Sequence, residues 1–120
     1  MFRVIVAGSR DFSNYEFLRS RLDWALYERN EDIAIVSGGA SGADALGERY
    51  ADERGLIIVK YPADWSTHGK AAGPIRNREM AANADALAAF WDGKSRGTKN
   101  MIDEARNKGL RVIIFDTEAV

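Results

Sequence analysis

Five short runs of apolar, largely β-branched residues recur along the chain: Phe2 to Ala7, Ile33 to Ser37, Leu56 to Lys60, Ala86 to Trp91 and Val112 to Phe115. Between them lie longer stretches whose apolar residues return every three or four positions. Short apolar strands alternating with helical segments predict βαβ units around a parallel sheet covered on both faces. In the first helical stretch Phe17, Leu18, Leu22, Ala25 and Leu26 form one face. Ser13-x-x-Glu16 has capping-box spacing, so a helix is predicted from Ser13 to near Arg29. The second carries Ala43, Leu46, Gly47, Tyr50 and Ala51 inward and stops at Gly55, with Gly47 allowing a close approach to the sheet. Gly73-Pro74 opens a third, because proline suits the first helical position, and Gly109 closes a fourth containing Met101, Ile102 and Ala105.

Right-handed crossovers turn this alternation into a single α/β domain over residues 1–120, a three-layer α/β/α sandwich. Its sheet is expected to be five-stranded and parallel, in the order 3-2-1-4-5. That order has a switch point between strands 1 and 4, and open α/β sheets bind ligands beyond the carboxyl ends of their strands at such a crevice. The unusual clusters of this chain all fall at such ends: Gly8-Ser9-Arg10-Asp11, Ser37 to Asp44, Tyr61 to Gly73, and Asp92 to Thr98.

Two of these clusters are glycine-rich turns leading from strand into helix. Small residues let backbone N–H groups approach an anion, and the positive end of the helix dipole favours it. Gly38-Gly39-Ala40-Ser41-Gly42 lacks the dinucleotide spacing G-x-G-x-x-G, and no Gly-Lys-Ser/Thr follows as in a P-loop. The second turn is Asp92-Gly93-Lys94-Ser95-Arg96-Gly97-Thr98. Arg10 suits bidentate phosphate binding or a surface ion pair with Asp11. Asp44 either complements its helix dipole or holds a ribose hydroxyl. The stretch from Tyr61 to Gly73 exceeds an ordinary βα loop and reads as a lid in which Trp65 can stack on a base. Arg76 and Glu79, one helical turn apart, are placed to pair.

Net charge narrows the partners. With 17 basic against 18 acidic residues the chain is at −1, which argues against a surface built as a whole to hold nucleic acid and leaves room for a local basic site. Arg10, Lys70, Arg76, Arg78, Lys94, Arg96 and Lys99 gather at the predicted loops. The absence of cysteine excludes disulfides, thiol catalysis and Cys-ligated zinc, and the single His68 has no second soft ligand, so no metal and no resident cofactor are expected. No apolar run approaches the ~20 residues of a membrane span. A cytoplasmic protein, away from membranes, is the expected setting.

Taken together, these residues resemble the SLOG superfamily, which groups the Smf/DprA DNA-processing proteins with the Lonely Guy phosphoribohydrolases and small nucleotide-sensing proteins. Gly8-Ser9-Arg10 and Ser37-Gly38-Gly39-Ala40-x-Gly42-Ala43-Asp44 are similar to the DprA pattern. Arg76-x-x-Glu79-Met80, Asp85-Ala86 and Gly97-Thr98 are similar to the Lonely Guy pattern. The combination G-S-R-D, S-G-G-A-x-G-A-D, R-N-R-x-M and W-D-G-x-S-x-G-T resembles the short YspA/YpsA-related branch.

That resemblance implies a Rossmann-like nucleotide-binding protein of sensor type. Phosphate is expected on Gly38, Gly39, Gly42, Gly97 and Thr98, neutralised by Arg10, Arg76 and Arg78. Asp44 would hold the sugar and Trp65 or Trp91 would face the base, with Gly8, Ser9, Ser37, Asp92, Gly93 and Ser95 completing the site. The alternative is a Lonely Guy-like hydrolase that cleaves the N-glycosidic bond of a nucleoside 5′-monophosphate, with Arg76 and Glu79 as catalytic residues. In that family's pattern the catalytic glutamate of the G-T-x-x-E helix start falls where this chain has Met101, with Glu79 or Asp92 as the available substitute. A third reading is a DprA-like nucleic-acid-binding or interaction module, with Phe12, Tyr15, Trp24 and Trp65 available for stacking. Phe17 and Trp24, seven residues apart, suggest the apolar seam of a homodimer.

Overall fold

The computed structural model describes residues 1–119. Strands β1 (Phe2–Gly8), β2 (Ile33–Ser37), β3 (Ile57–Lys60), β4 (Ala86–Trp91) and β5 (Arg111–Asp116) form one sheet in the order β3-β2-β1-β4-β5. Every pairing is parallel, with Val4 opposite Ala86 and Ile5 opposite Val36 in the central strands. Helices α1 (Tyr15–Leu26) and α2 (Ala43–Arg54) cover one face, and α4 (Ala72–Ala82) and α5 (Arg96–Asn107) cover the other.

The alternation of side chains along a strand creates the two core layers. Val4 and Val6 of β1 join Leu18, Leu22, Tyr50 and Phe90 under α1 and α2, whereas Ile5 and Ala7 join Met80, Leu87, Met101 and Ile102 under α4 and α5. The alanine-rich β4 is a central strand despite weak β propensity. Burial on both faces between β1 and β5 overrides propensity there, and small side chains leave room for the flanking helices. At Gly47 a Cβ would lie 2.7 Å from Val6 Cγ1, so the absent side chain lets α2 rest on β1.

Element ends differ from the expected ones for local reasons. Helix α1 is capped by Asn14, whose Oδ1 accepts the Phe17 N–H at 3.1 Å, and Glu16 turns to Arg19 at 2.6 Å instead of closing a box with Ser13. The helix ends at Leu26, where turn bonds from Tyr27 and Arg29 take over, not near Arg29. Leu56 stays outside β3 because its N–H returns to Ala51 O and closes α2. Helix α4 starts at Ala72, two residues ahead of Pro74. The connection from Tyr61 onward carries structure of its own. It contains α3 (Trp65–His68), capped by Asp64 through a bond from the Thr67 N–H, and a 3₁₀ turn over Gly69–Ala71. No helix is long and apolar enough to cross a membrane, among the described residues.

Candidate functional site

At the carboxyl ends of β1, β2 and β4 a cleft of about 520 Å³ opens at the switch point. Gly8, Ser9 and Arg10 enter it from β1, Ala40 and Asp44 from the first glycine turn, and Trp65 from α3. Arg76, Asn77 and Met80 line it from α4, and Asp92, Ser95, Gly97, Thr98 and Met101 line it from the second turn and α5. A smaller lobe of about 250 Å³, lined by Gly38, Gly39 and Ser41, shares Arg10, Trp65 and Arg76 with the first. Arg10, at the surface, lies over the Trp65 ring at 5.9 Å and marks the boundary between the lobes.

The first glycine turn is arranged differently from an open anion cradle. Buried Ser37 accepts the Gly39 N–H on Oγ at 3.1 Å and donates to Glu48 Oε2 at 2.6 Å. The Ala40 N–H donates to Asp44 Oδ2 at 3.3 Å. Both donors are therefore taken by the chain's own oxygens, and the carboxylate of Asp44 stands where a phosphate was expected. Gly42 serves close packing: a Cβ there would collide with the backbone of Ser9 and Arg10, and the Ala43 N–H bonds to Ser9 O at 3.2 Å. At Gly38 a Cβ would run into the Arg76 guanidinium and come 2.9 Å from Asp44 Oδ2.

Through that gap Arg76 reaches the turn. Its Nη1 donates to Gly38 O and, at 3.4 Å, to Tyr61 O, while Nε donates to Asn77 Oδ1 at 2.9 Å. Nη2 has no hydrogen-bond partner among the described residues, and Arg76 lines the cleft. Burial lowers the Arg76 pKa, Asp44 opposes that shift and Arg10 adds to it. Burial likewise raises the Asp44 pKa, against the pull of the Ala40 N–H and Arg76.

On the opposite wall Asp92 Oδ1 accepts the Lys94 and Ser95 N–H groups, each at 2.8 Å, and these two bonds hold its carboxyl below the usual range. Ser95 caps α5 by accepting the Thr98 N–H at 3.3 Å, and its Oγ bonds to the Thr98 hydroxyl at 3.0 Å. The N–H groups of Arg96 and Gly97 keep no protein partner, as expected at the start of a helix. Ser9 Oγ is the one fully buried side-chain polar atom without a hydrogen bond among the described residues. The Asp92 carboxylate lies close enough for the Ser9 hydroxyl to help lower its pKa.

The structure does not bring every expected residue to the cleft. Arg78 is exposed and turns toward Glu104 at 3.7 Å. Glu79 is exposed beside it, and the expected Arg76–Glu79 pair is absent from the ion pairs of the described residues. Helical geometry explains their exposure, and the missing pair follows from the Arg76 guanidinium being turned to Asn77 Oδ1, Gly38 O and Tyr61 O. At about 100° per residue, positions 76, 77 and 80 share the inward face and positions 78 and 79 point away. Gly93 has φ of 80°, a turn conformation outside the lining, and Trp91 donates Nε1 to Ser95 O at 3.0 Å instead of facing a base. Phe17 is not part of an exposed seam, since it packs edge-on to Phe12 and Phe90. Asn77 and Asn100 were missed as site residues. The spacing of Arg76, Asn77 and Met80 on one helical face was the available signal for Asn77.

Comparison with known proteins bears on the fold and the family. The gene 61 protein of Mycobacterium phage D29 is 37% identical over 121 aligned positions, which cover 96% of this chain and 97% of that protein. The fold matches DNA processing protein A (DprA) from Streptococcus pneumoniae with a TM-score of 0.74 at 18% identity, covering 94% of this chain and 49% of that one. It also matches DNA processing protein A from Helicobacter pylori, described for its single-stranded DNA binding mode, with a TM-score of 0.67 at 20% identity over 94% of this chain and 64% of the other. The chain thus spans about half to two thirds of these larger neighbours. A family model described as YspA, cpYpsA-related SLOG matches residues 2–68. With more than half of its length matched, this chain belongs to the YspA, cpYpsA-related SLOG family.

Proposed function

We propose that the cleft binds a nucleotide or nucleotide-derived phosphate ligand. The observation that carries this reading is a set of donors without protein partners among residues that line the cleft: Arg76 Nη2 and the N–H groups of Arg96 and Gly97. A phosphate at the α5 end satisfies these donors, with the Thr98 hydroxyl beside it. Asp44 offers an acceptor and suits the hydroxyls of a sugar. Trp65, Met80 and Met101 supply an apolar wall for a base. The ligand therefore lies with its anion toward α5 and its sugar toward α2, away from the satisfied donors of the first glycine turn.

Thermal shift and calorimetry against nucleoside monophosphates, dinucleotides, NAD and ADP-ribose test the reading. Saturation at a hundredfold excess over Kd raises stability by about 2.7 kcal/mol, a visible shift. A charge-assisted bond contributes about 1.5 to 3 kcal/mol, so Arg76→Ala is expected to weaken binding by about tenfold or more. A flat panel with wild type removes the nucleotide reading.

Hydrolysis is the second reading, favoured by the buried Asp44 carboxylate inside the cleft. Glu79 lies outside it and Met101 is an apolar wall residue, so Asp44 or Asp92 would have to stabilise the developing oxocarbenium ion. Chromatographic detection of free base from a nucleoside 5′-monophosphate, lost in Asp44→Asn, distinguishes turnover from binding. A single-stranded DNA end is the remaining ligand of the same chemistry, suggested by the fold shared with the Helicobacter pylori protein. A homodimer would use Trp24 and Tyr27, 67% and 83% exposed, in place of Phe17. Light scattering of wild type against Trp24→Ser tests it, a monomer in both excluding the pair.

A further inference from the structure

We infer that Asn77 is the positioning residue of the cleft: it selects the edge of Arg76 that faces a ligand and ties that arginine to the first turn of α5. Asn77 is only 6% exposed in the middle of α4, a position where a polar side chain needs a reason. Its Oδ1 accepts Arg76 Nε at 2.9 Å, and its Nδ2 donates to Asn100 Oδ1 at 2.9 Å and to Gly97 O at 3.4 Å. One amide thus links α4 to the first turn of α5 at the cleft.

The consequence follows from guanidinium geometry. An arginine grips an oxyanion with a two-pronged fork, most often Nε together with Nη2 or both terminal nitrogens. Here Asn77 occupies Nε, and the carbonyls of Gly38 and Tyr61 occupy Nη1. Only Nη2 is left, so Arg76 offers one nitrogen and no fork. The remaining oxygens of an anion must then be met by other donors, and the free N–H of Gly97 belongs to the residue whose carbonyl Asn77 holds. Asn77 thereby holds Arg76 and the α5 turn in one frame.

That an anion is what Nη2 meets rests on the nucleotide reading, but the choice of edge does not, and the experiment separates them. In ¹H–¹⁵N spectra of the full chain, the Arg76 Nε–H resonance is assigned by its disappearance in Arg76→Lys, and its solvent exchange is measured. Asn77→Ala is expected to speed that exchange at least tenfold, and Asn77→Asp, which keeps an acceptor for Nε, to restore protection. Ile102→Val, a core change of modest cost in α5, is expected to leave it protected, which separates positioning from general loss of stability. Should Asn77→Ala fail to fold, Asn100→Ala removes the anchor of the amide and is expected to raise the same exchange. An Nε–H that stays protected in Asn77→Ala, or in Asn100→Ala where that variant stands in, overturns the inference. Binding of the ribonucleoside 5′-monophosphates is measured on the same samples, with a loss of about tenfold or more in Asn77→Ala expected. The expected exchange pattern without any binding by wild type upholds the positioning role and removes the nucleotide reading alone.

Discussion

Asp44 is buried at the first turn of a helix, and burial raises its pKa above the ordinary 3.8. The folded state thus holds that proton more tightly than the unfolded state. Stability contributed by the protonated carboxyl is present below the ordinary value and is lost as pH rises through the raised one. Asp44→Asn keeps an acceptor for the Ala40 N–H and cannot ionise. Denaturant midpoints of both proteins from about pH 4 to 7 should show wild type losing ground to the variant as pH rises, and parallel curves would contradict the assignment. Gly38→Ala belongs at the same scale. Its Cβ would displace the Arg76 guanidinium, so the variant should lose ligand affinity as Arg76→Ala does, about tenfold or more, measured by calorimetry on folded protein. The glycines themselves were legible in the sequence as a turn between strand and helix. That Gly38 makes room for an arginine, with a carboxylate held by the same turn, depends on side chains 32 and more positions apart in α4 and could not be read from the turn alone.

Among elements, helix faces and caps decide what reaches the cleft. The apolar spacing of α1, α2 and α5 predicts their inward faces correctly, because period 3.6 is a property of the backbone. The cap of α1 is a closer contest. Ser13 and Asn14 are both good cap residues, and the winner is the one whose oxygen meets the Phe17 N–H. Asn14→Ala is therefore expected to cost about 1 kcal/mol, while Ser13→Ala should stay within about ±0.5 kcal/mol as an ordinary surface change. Equal effects in urea unfolding would return the cap to Ser13. In α4 the cluster of Arg76, Arg78 and Glu79 looked like one charged site. The 100° step instead sends Arg76 inward with Asn77 and turns Arg78 toward α5. Residue type cannot distinguish these positions, since arginine and glutamate are common on both solvated and functional faces.

At the scale of the molecule, Phe90 joins the layers. It stacks on Phe115 at 5.0 Å and on Phe12 at 5.9 Å, with no exposure at all, so it fastens β4, β5 and the loop after β1 over the α1 face. Phe90→Ala is expected to cost about 3 to 5 kcal/mol, read from a urea midpoint, and to loosen the Ser9 side of the cleft with it. Phe17 packs edge-on to Phe90, while Trp24 touches the same cluster through Phe115 and, like Tyr27, keeps most of its surface exposed.

Parallel pairing, the strand order and its switch point were legible in the sequence through the alternation of strands and helices and the steric rules that make crossovers right-handed, and the family through the resemblance of its motifs. The sequence also marked the glycine turns and Arg76 as residues of the carboxyl edge. Tertiary structure alone decided how they share the work. It put Asp44 into the donors of the first turn, left Arg76 Nη2 without a partner among the described residues, carried Glu79 out of the cleft and brought Asn77 between two helices. These outcomes depend on which polar groups find partners across long sequence separations, and a hydrogen bond of that kind exists only once the layers have packed.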